Sequence, residues 1–339
     1  MRQDRFLLIA GANGYVGRYL CAEALAAGYR VIGLTYDHFA PAKFDDERVR
    51  YVRCDIRHPL AAQIESATKE ADIAGVINAA ALLGSPDFKA NEAVNADGVR
   101  NLIDFCQQKQ IDRLIQISSI VVLKEVKGPY GETKLLGDEI VRSSALNYTI
   151  FIPAMVIGPE SLGLNRILKN TFRFPLIVPI VGNGRQTQHP VFVGDFVRCI
   201  ISSVDKPVAH GKTYQIAGDT VIPFRDLIRK ILRMRGSRKL LLPVPSIIAR
   251  WLGKIFERTQ RVPLFTEEHV KGVLQNSRLD IREVAEDLGY APSRLDNVLA
   301  YCLGEIHDNW SSMLSPSPER ILSAATNPLP NLTRNRTNP

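Results

Sequence analysis

The stretch that decides the fold is Phe6-Leu7-Leu8-Ile9-Ala10 followed directly by Gly11-Ala12-Asn13-Gly14-Tyr15-Val16-Gly17. Five apolar residues read as a buried strand, and the residues from Tyr15 onward read as an amphipathic helix. Three glycines at intervals of three join them. In such a junction Gly11 permits the tight turn and Gly14 lets the backbone approach a pyrophosphate. Gly17 lets the helix pack close to the sheet. The N–H groups of Asn13, Tyr15 and Val16 and the helix dipole then favour phosphate charge. A glycine triplet alone is weak evidence; at an N-terminal strand–helix junction it is specific.

Outward from this turn the chain alternates short β-branched runs with longer helical stretches. Residues 6–10, 30–35, 49–54, 75–78, 113–118 and 149–152 read as strands. Residues 15–27, 59–70, 91–110 and 130–144 read as helices. That alternation predicts an α/β fold with a parallel sheet covered on both faces. After Pro153 the texture changes to a region punctuated by Gly158-Pro159, Phe174-Pro175, Val178-Pro179 and Gly182-Asn183-Gly184, read as loop-rich. Helices are expected again at 195–204, 224–235, 246–257, 266–275 and 280–287, with a short strand at 240–245. The predicted organisation is a nucleotide-binding domain over 1–158, to which 186–220 returns, and a smaller, mostly helical lobe over 159–310. A disordered Ser/Pro/Asn/Thr-rich tail is expected over 313–339.

At this junction-rich edge other residues fit a bound dinucleotide. Asp55, followed by Ile56, ends the third strand region. It can accept from an adenine amino group, or equally cap the next helix. Asn78-Ala79-Ala80-Ala81 ends the fourth strand, and its small side chains leave room for a flat, extended cofactor or serve plain helix–sheet packing. Tyr130-Gly131-Glu132-Thr133-Lys134 places a phenol and an ammonium four apart on one helix face. An ammonium near a tyrosine favours phenolate and lowers its pKa from about 10. Ser119, at the end of the preceding strand, can polarise a carbonyl.

These residues together resemble the extended and atypical short-chain dehydrogenase/reductase superfamily, from about Phe6 to Leu303. The resemblance includes Pro153-Ala154-Met155-Val156-Ile157-Gly158-Pro159, similar to the family's loop beside the nicotinamide, and Pro190-Val191-Phe192-Val193-Gly194-Asp195. It implies a Rossmann-type doubly wound sheet. It implies Tyr130 as general acid/base, Lys134 as its partner on the cofactor ribose, and Ser119 as the carbonyl-polarising group. Pro153, Met155 and Val156 would line the nicotinamide. Nucleotide-sugar epimerases carry Phe-Asn where this chain has Pro153-Ala154, Arg-Asp where it has Gln188-His189, and a longer loop between the serine and tyrosine. The nearer resemblance is to the nucleotide-binding accessory subunit of respiratory complex I and its bacterial relatives, and to 3β-hydroxysteroid dehydrogenases through Ser118-Ser119-Ile120. Members of the complex I group that only bind nucleotide often lack the Tyr–Lys pair.

The resemblance implies NAD(P)-dependent interconversion of a secondary alcohol and a ketone on a small-molecule substrate. Membrane docking of the basic segment at 223–261 would suit a lipid-borne or otherwise apolar one. The alternatives are a nucleotide-sugar epimerase or dehydratase with tightly held NAD, and a nucleotide-binding assembly protein without turnover. NAD-preferring members end the second strand in Asp; here Thr35 and Tyr36 stand there, and no carboxylate would repel a 2′-phosphate unless Asp37 swings in, which points to NADP, with NAD the alternative. Arg18 or Lys43 would then meet the 2′-phosphate. Dimerisation through the helices at 91–110 and 130–144 is a family habit.

The chain of 339 residues has a net charge of +8, which invites a nucleic-acid reading. The distribution argues otherwise. Residues 223–261 hold eleven Lys or Arg against Asp226 and Glu257, a net +9, and the remainder is close to neutral. The aromatic interleaving of a single-strand groove is absent, so no nucleic-acid partner is expected. Within that segment residues 246–257 form an amphipathic pattern. Its apolar face either packs on the protein or docks on an anionic membrane surface; phosphate recognition on a nucleotide substrate is a further reading of the cations. No apolar run is long enough to span a bilayer, and the start does not read as a signal peptide. Five scattered cysteines and six scattered histidines suggest neither disulfides nor a metal site. The expected location is cytoplasmic, with peripheral membrane contact through 240–261.

Overall fold

A computed structural model describes residues 4–36, 46–249, 251 and 274–304. Along the chain, β1 (Phe6–Ala10) leads into α1 (Tyr15–Ala26), then β2 (Arg30–Thr35), β3 (Val49–Arg53), α2 (Ala61–Thr68) and β4 (Ile73–Asn78). The helical stretch that follows comprises α3 (Phe88–Glu92), a π turn (Ala93–Asp97) and α4 (Gly98–Gln108). Next come β5 (Arg113–Ile117), a 3-10 turn (Ile120–Leu123), α5 (Gly128–Arg142), β6 (Asn147–Pro153) and β7 (Val156–Ile157). The chain continues with α6 (Leu162–Phe172), β8 (Ile177–Val181), β9 (Thr187–Gln188), β10 (Val191–Phe192), α7 (Val193–Ser203) and β11 (Lys212–Ile216). It ends in β12 (Ile222–Pro223), α8 (Phe224–Met234), β13 (Leu240–Val244), α9 (Arg282–Leu288) and α10 (Leu295–Gly304).

Seven strands form one sheet in the order β11-β6-β5-β4-β1-β2-β3, every pair parallel. A parallel sheet is covered on both faces, so its strands are apolar throughout rather than alternating. All five residues of β1 are buried. Leu7 and Ile9 face one core with α1 and α7, and Leu8 and Ala10 face the other with α4. This is the doubly wound arrangement expected of the strand–helix alternation. The strand order reverses between β1 and β4, which opens a crevice at the carboxyl ends of those strands.

Three sequence expectations need correction. The region after Pro153 is not mainly loop: it contains α6 and β8, whose Val178 and Ile180 are buried. Pro175 and Pro179 obscured them, because Pro reads as a breaker unless the strand is an edge. The helix expected over 91–110 is broken by the π turn at Ala93–Asp97. Helix α10, whose Leu299 and Cys302 are fully buried, had no counterpart in the sequence reading. The expected helix over 266–275 lies outside the described residues up to 273, and Leu274 and Gln275 are not helical. Residues 246–249 and 251 are helical, while 250, 252–257 and the tail over 313–339 lie outside the described residues.

Candidate active site

The glycine turn is shaped by contacts that exclude a side chain. Gly11 has φ +77°, and a Cβ there would stand 2.8 Å from Ala80 N and Cα. At Gly17 a Cβ would stand 2.0 Å from Gly11 O. The N–H groups of Gly11 and Ala12 both donate to Leu34 O, at 3.0 and 3.1 Å, and Gly14 N donates to Gly11 O at 2.9 Å. These bonds lock the turn across β2. Helix α1 starts with Gly14 as its cap and no side chain capping it, so the first-turn N–H groups of Tyr15 and Val16 have no acceptor within the helix. A cradle that any Cβ would fill, at an uncapped helix start, fits a dinucleotide pyrophosphate. Asn13 lies between these groups in the same turn.

On the adenosine side, Thr35 pairs with Arg53 across β2 and β3, and its hydroxyl donates to Val52 O at 3.5 Å. Tyr36, Arg53, Asp55 and Gln63 line a cleft of about 440 Å³. Asp55 caps no helix: α2 begins at Ala61 with Leu60 as its cap. Its carboxylate instead receives Arg57 Nε at 2.9 Å and Nη2 at 2.7 Å, and Arg57 holds it below the usual carboxylate range. The Arg57 guanidinium also lies 4.9 Å over the Tyr36 ring and donates to its hydroxyl at 2.9 Å. Ile56 is buried, and its carbonyl accepts from Asn101 Nδ2 at 2.8 Å.

Arg18 is not placed for a 2′-phosphate. Its guanidinium is buried against Glu160 at 3.3 Å, and its Nε donates to Gly14 O at 3.4 Å. Lys43 and Asp37 lie outside the described residues. The cations that the structure brings to the cleft are Arg53 and Arg57, which the sequence reading did not single out. Their signal was the pattern Arg53-x-Asp55-x-Arg57 at a strand end.

At the centre of the crevice Asn78 is fully buried. Its amide donates to Gln116 Oε1 at 2.9 Å and its carbonyl oxygen accepts Ala80 N at 3.1 Å. That pair of bonds holds Ala79 and Ala80 against the glycine turn. Pro153 ends β6, Met155 O accepts Val191 N at 3.0 Å, and Val156 pairs with Val191 in β7–β10. These three residues therefore stand at the same carboxyl edge as the glycine turn.

Ser119, Tyr130 and Lys134 come together between the end of β5 and helix α5. Ser119 caps the 3-10 turn, its hydroxyl accepting Val121 N at 3.4 Å, and it stands near enough to the Tyr130 phenol to lower its pKa. Lys134 is buried, and its ammonium donates to Ile117 O at 2.6 Å. The expectation that Lys134 depresses the phenol is not met: burial pushes the Tyr130 pKa up, opposed only by Ser119. Burial likewise lowers the Lys134 pKa.

Two residues near this trio escaped the sequence reading. Asp138, one helical turn beyond Lys134, is fully buried and hydrogen-bonded to Ser118 Oγ. Burial raises its pKa against the pull of Lys134. Its signal was the spacing Tyr130, Lys134, Asp138, three residues on one helical face. Asn95, in the π turn, donates to Thr133 Oγ1 at 3.1 Å and accepts Leu82 N at 3.0 Å. It ties α5 to the loop after β4. Single π turns inside helices are frequent at functional sites, and nothing in a 3.6-residue pattern announces one.

His189, which stands where nucleotide-sugar enzymes carry Asp, is a structural pin. Its Nε2–H donates to Gly218 O at 3.0 Å, and its Nδ1 accepts Leu279 N at 3.2 Å. Both bonds need the neutral ring, and burial lowers its pKa to match. No cluster of three metal-ligating side chains occurs among the described residues.

A model of the NAD dependent epimerase/dehydratase family matches residues 7–217, from β1 through β11. The chain belongs to this family. The matched residues include the glycine turn, Tyr130 and Lys134, and span the seven-stranded sheet. Among relatives, the chain is 26% identical over 304 residues to the mouse mitochondrial NADH dehydrogenase [ubiquinone] 1 alpha subcomplex subunit 9, covering 85% of this chain and 77% of that one. It is 25% identical over 346 aligned positions to 3beta-hydroxysteroid-dehydrogenase/decarboxylase isoform 2 of Arabidopsis thaliana, covering 85% and 59%. Both kinds of relative were expected from the resemblance. Among solved structures, UDP-glucuronic acid 4-epimerase from Bacillus cereus, in complex with UDP-glucuronic acid and NAD, superposes with a TM-score of 0.68 at 21% identity, covering 89% of this chain and 100% of that one. That likeness shows the shared fold. Family and neighbours are NAD-dependent enzymes, and no described helix is long and apolar enough to cross a membrane.

Proposed function

We propose that the protein is an NAD(P)-dependent oxidoreductase that interconverts a secondary alcohol and a ketone on an apolar substrate. The observation that carries this reading is the convergence of Ser119, at the end of β5, with Tyr130 and the buried Lys134 of α5, whose ammonium is anchored on Ile117 O. In this family of enzymes the bound nicotinamide supplies or accepts a hydride. The chain's own residues do the rest. Gly11, Gly14, Gly17 and the start of α1 would hold the pyrophosphate, and Ala79 and Ala80 would leave room for the extended dinucleotide. Ser119 would polarise the carbonyl oxygen, and Tyr130 would give that oxygen its proton or take it away. Lys134, one turn along α5 from Tyr130 and anchored on Ile117 O, would meet the cofactor ribose. Pro153-Ala154 and His189 stand where nucleotide-sugar enzymes carry polar and charged groups, which favours an apolar substrate over a sugar nucleotide.

Of the two nicotinamides, the cleft favours NADP. No carboxylate ends β2, and Arg53 and Arg57 supply positive charge where a 2′-phosphate would lie. Calorimetric titration with NADPH and NADH checks this. Tighter NADPH binding that is lost in Arg53→Ala supports it, and a strong NADH preference rejects it. For the reaction, the test is NAD(P)H consumption across a ketone panel. Retention of NAD through dialysis, with no external turnover, would instead favour an epimerase or dehydratase. The similarity to the complex I subunit supports a second reading, a nucleotide-binding assembly protein; cofactor binding with no turnover on any ketone or alcohol would favour it.

A further inference from the structure

Strand β13 pairs in parallel with β8 at the edge of the second lobe, Leu240 opposite Ile177 through Val244 opposite Val181. The two strands read Ile-Val-Pro-Ile-Val and Leu-Leu-Leu-Pro-Val, ten apolar residues without a polar one. Side chains along a strand alternate between faces. Val178, Ile180 and Leu241 turn inward onto Ile228 and Leu232 of α8. The other face carries Leu240 and Leu242, both exposed. A sheet with one solvated face normally places polar residues there; this one does not. The apolar surface continues at both ends. Leu176, 75% exposed, accepts Leu240 N through its carbonyl, and Ile247 and Trp251 beyond β13 are 79% and 64% exposed.

The chemistry around this face is one-sided. Residues 161–185 hold four Lys or Arg and no acid, and residues 227–251 hold seven and no acid. Some of these cations are engaged within the fold: Lys230 pairs with Asp296, and Lys239 lies 4.8 Å over the Phe172 ring. Arg173 and Arg238, just before β8 and β13, are exposed. An exposed apolar strip with a tryptophan, beside the exposed Arg173 and Arg238, has the composition of a bilayer-interface contact. No described helix can span a membrane, so the contact is with the surface. We propose that the outer face of β8–β13, with Ile247 and Trp251, docks on the headgroup and upper acyl region of an anionic lipid bilayer.

This surface is independent of the catalytic reading, and its test does not use activity. The full-length protein is sedimented with vesicles of phosphatidylcholine alone, and with vesicles containing a third phosphatidylglycerol, at low and high salt. Binding is expected to the anionic vesicles, weakened by salt. Leu240→Glu with Leu242→Glu should lower the partition coefficient tenfold or more. Arg173→Glu with Arg238→Glu should lower it by at least about fivefold for each cation lost. Both variants alter exposed side chains, so unchanged melting temperature and nucleotide binding confirm that they fold. Failure of the wild type to bind anionic vesicles at low salt overturns the proposal, as does equal binding by the variants. A lipid-free dimer that Leu240→Glu abolishes, with no vesicle binding, overturns it in favour of a second copy of this chain as the occupant.

Discussion

Lys134 and Asp138 lie one helical turn apart on α5, both fully buried, on the helix face that Tyr130 begins. Burial pushes the lysine pKa down and the aspartate pKa up, and their mutual attraction opposes both shifts. Each is also tied to the end of β5, Lys134 to Ile117 O and Asp138 to Ser118 Oγ. The two are not in direct contact, but each is the nearest source of opposite charge for the other in a site that excludes water, so removing one leaves the other less compensated.

Asp138→Asn should therefore destabilise the protein by about 1–3 kcal/mol. The amide keeps a polar contact with Ser118 but leaves the Lys134 ammonium less compensated. Urea unfolding of the two proteins checks this. A change below about 0.5 kcal/mol would mean that Lys134 is neutral in the native state.

Tyr130→Phe removes only a hydroxyl. Turnover of any ketone substrate should fall by about 10²–10⁴-fold, while the dissociation constant for the cofactor changes little. Stopped-flow reduction and equilibrium titration on one preparation separate these quantities. Retained turnover would remove Tyr130 from the acid–base role.

Gly17→Ala tests the turn. The added methyl would meet Gly11 O at 2.0 Å, and backbone cannot yield as a side-chain tip does. Nucleotide affinity should drop at least tenfold, with a loss of about 1–3 kcal/mol in stability from overpacking. Isothermal titration and thermal melting report the two effects.

Glu23 gives the pH dependence. Its Oε2 is buried without a hydrogen-bond partner among the described residues, and burial raises its pKa from 4.5 to about 7, against a smaller pull from Arg198. The folded state holds this proton more tightly than the unfolded chain. Its stabilising contribution is thus complete below pH 4.5 and is lost as pH rises through about 7. Glu23→Gln should flatten that slope and leave the variant more stable above pH 7, by on the order of 1–3 kcal/mol. Chemical denaturation at pH 5 and pH 8 measures it; parallel pH profiles for the two proteins would contradict the assignment.

Much of the nucleotide half was legible before any coordinates. β1, the glycine turn and α1 are contiguous, so their apolar period and their glycines express local rules. The same holds for Tyr130 and Lys134, set four apart on one helix. Reading failed where a residue's role depends on a distant partner. Arg18 looked available for a phosphate, but Glu160 lies 142 residues away in sequence and 3.3 Å away in space. Asp55 fitted an adenine acceptor or a helix cap equally well on local grounds, and only the fold shows that it caps no helix and pairs with Arg57.

By itself the sequence determined the doubly wound sheet, the family and the Ser–Tyr–Lys trio, because periodicity and short spacings are properties of neighbouring residues. Only the tertiary structure decided that Lys134 shares its burial with Asp138, that Arg53 lines a cleft beyond β2 beside the Asp55–Arg57 pair, and that β8 and β13 form a sheet apolar on both faces. Those outcomes depend on which strands pair and which side chains lose water together. Such pairings join residues dozens of positions apart, and their energetics follow from burial that no local pattern encodes.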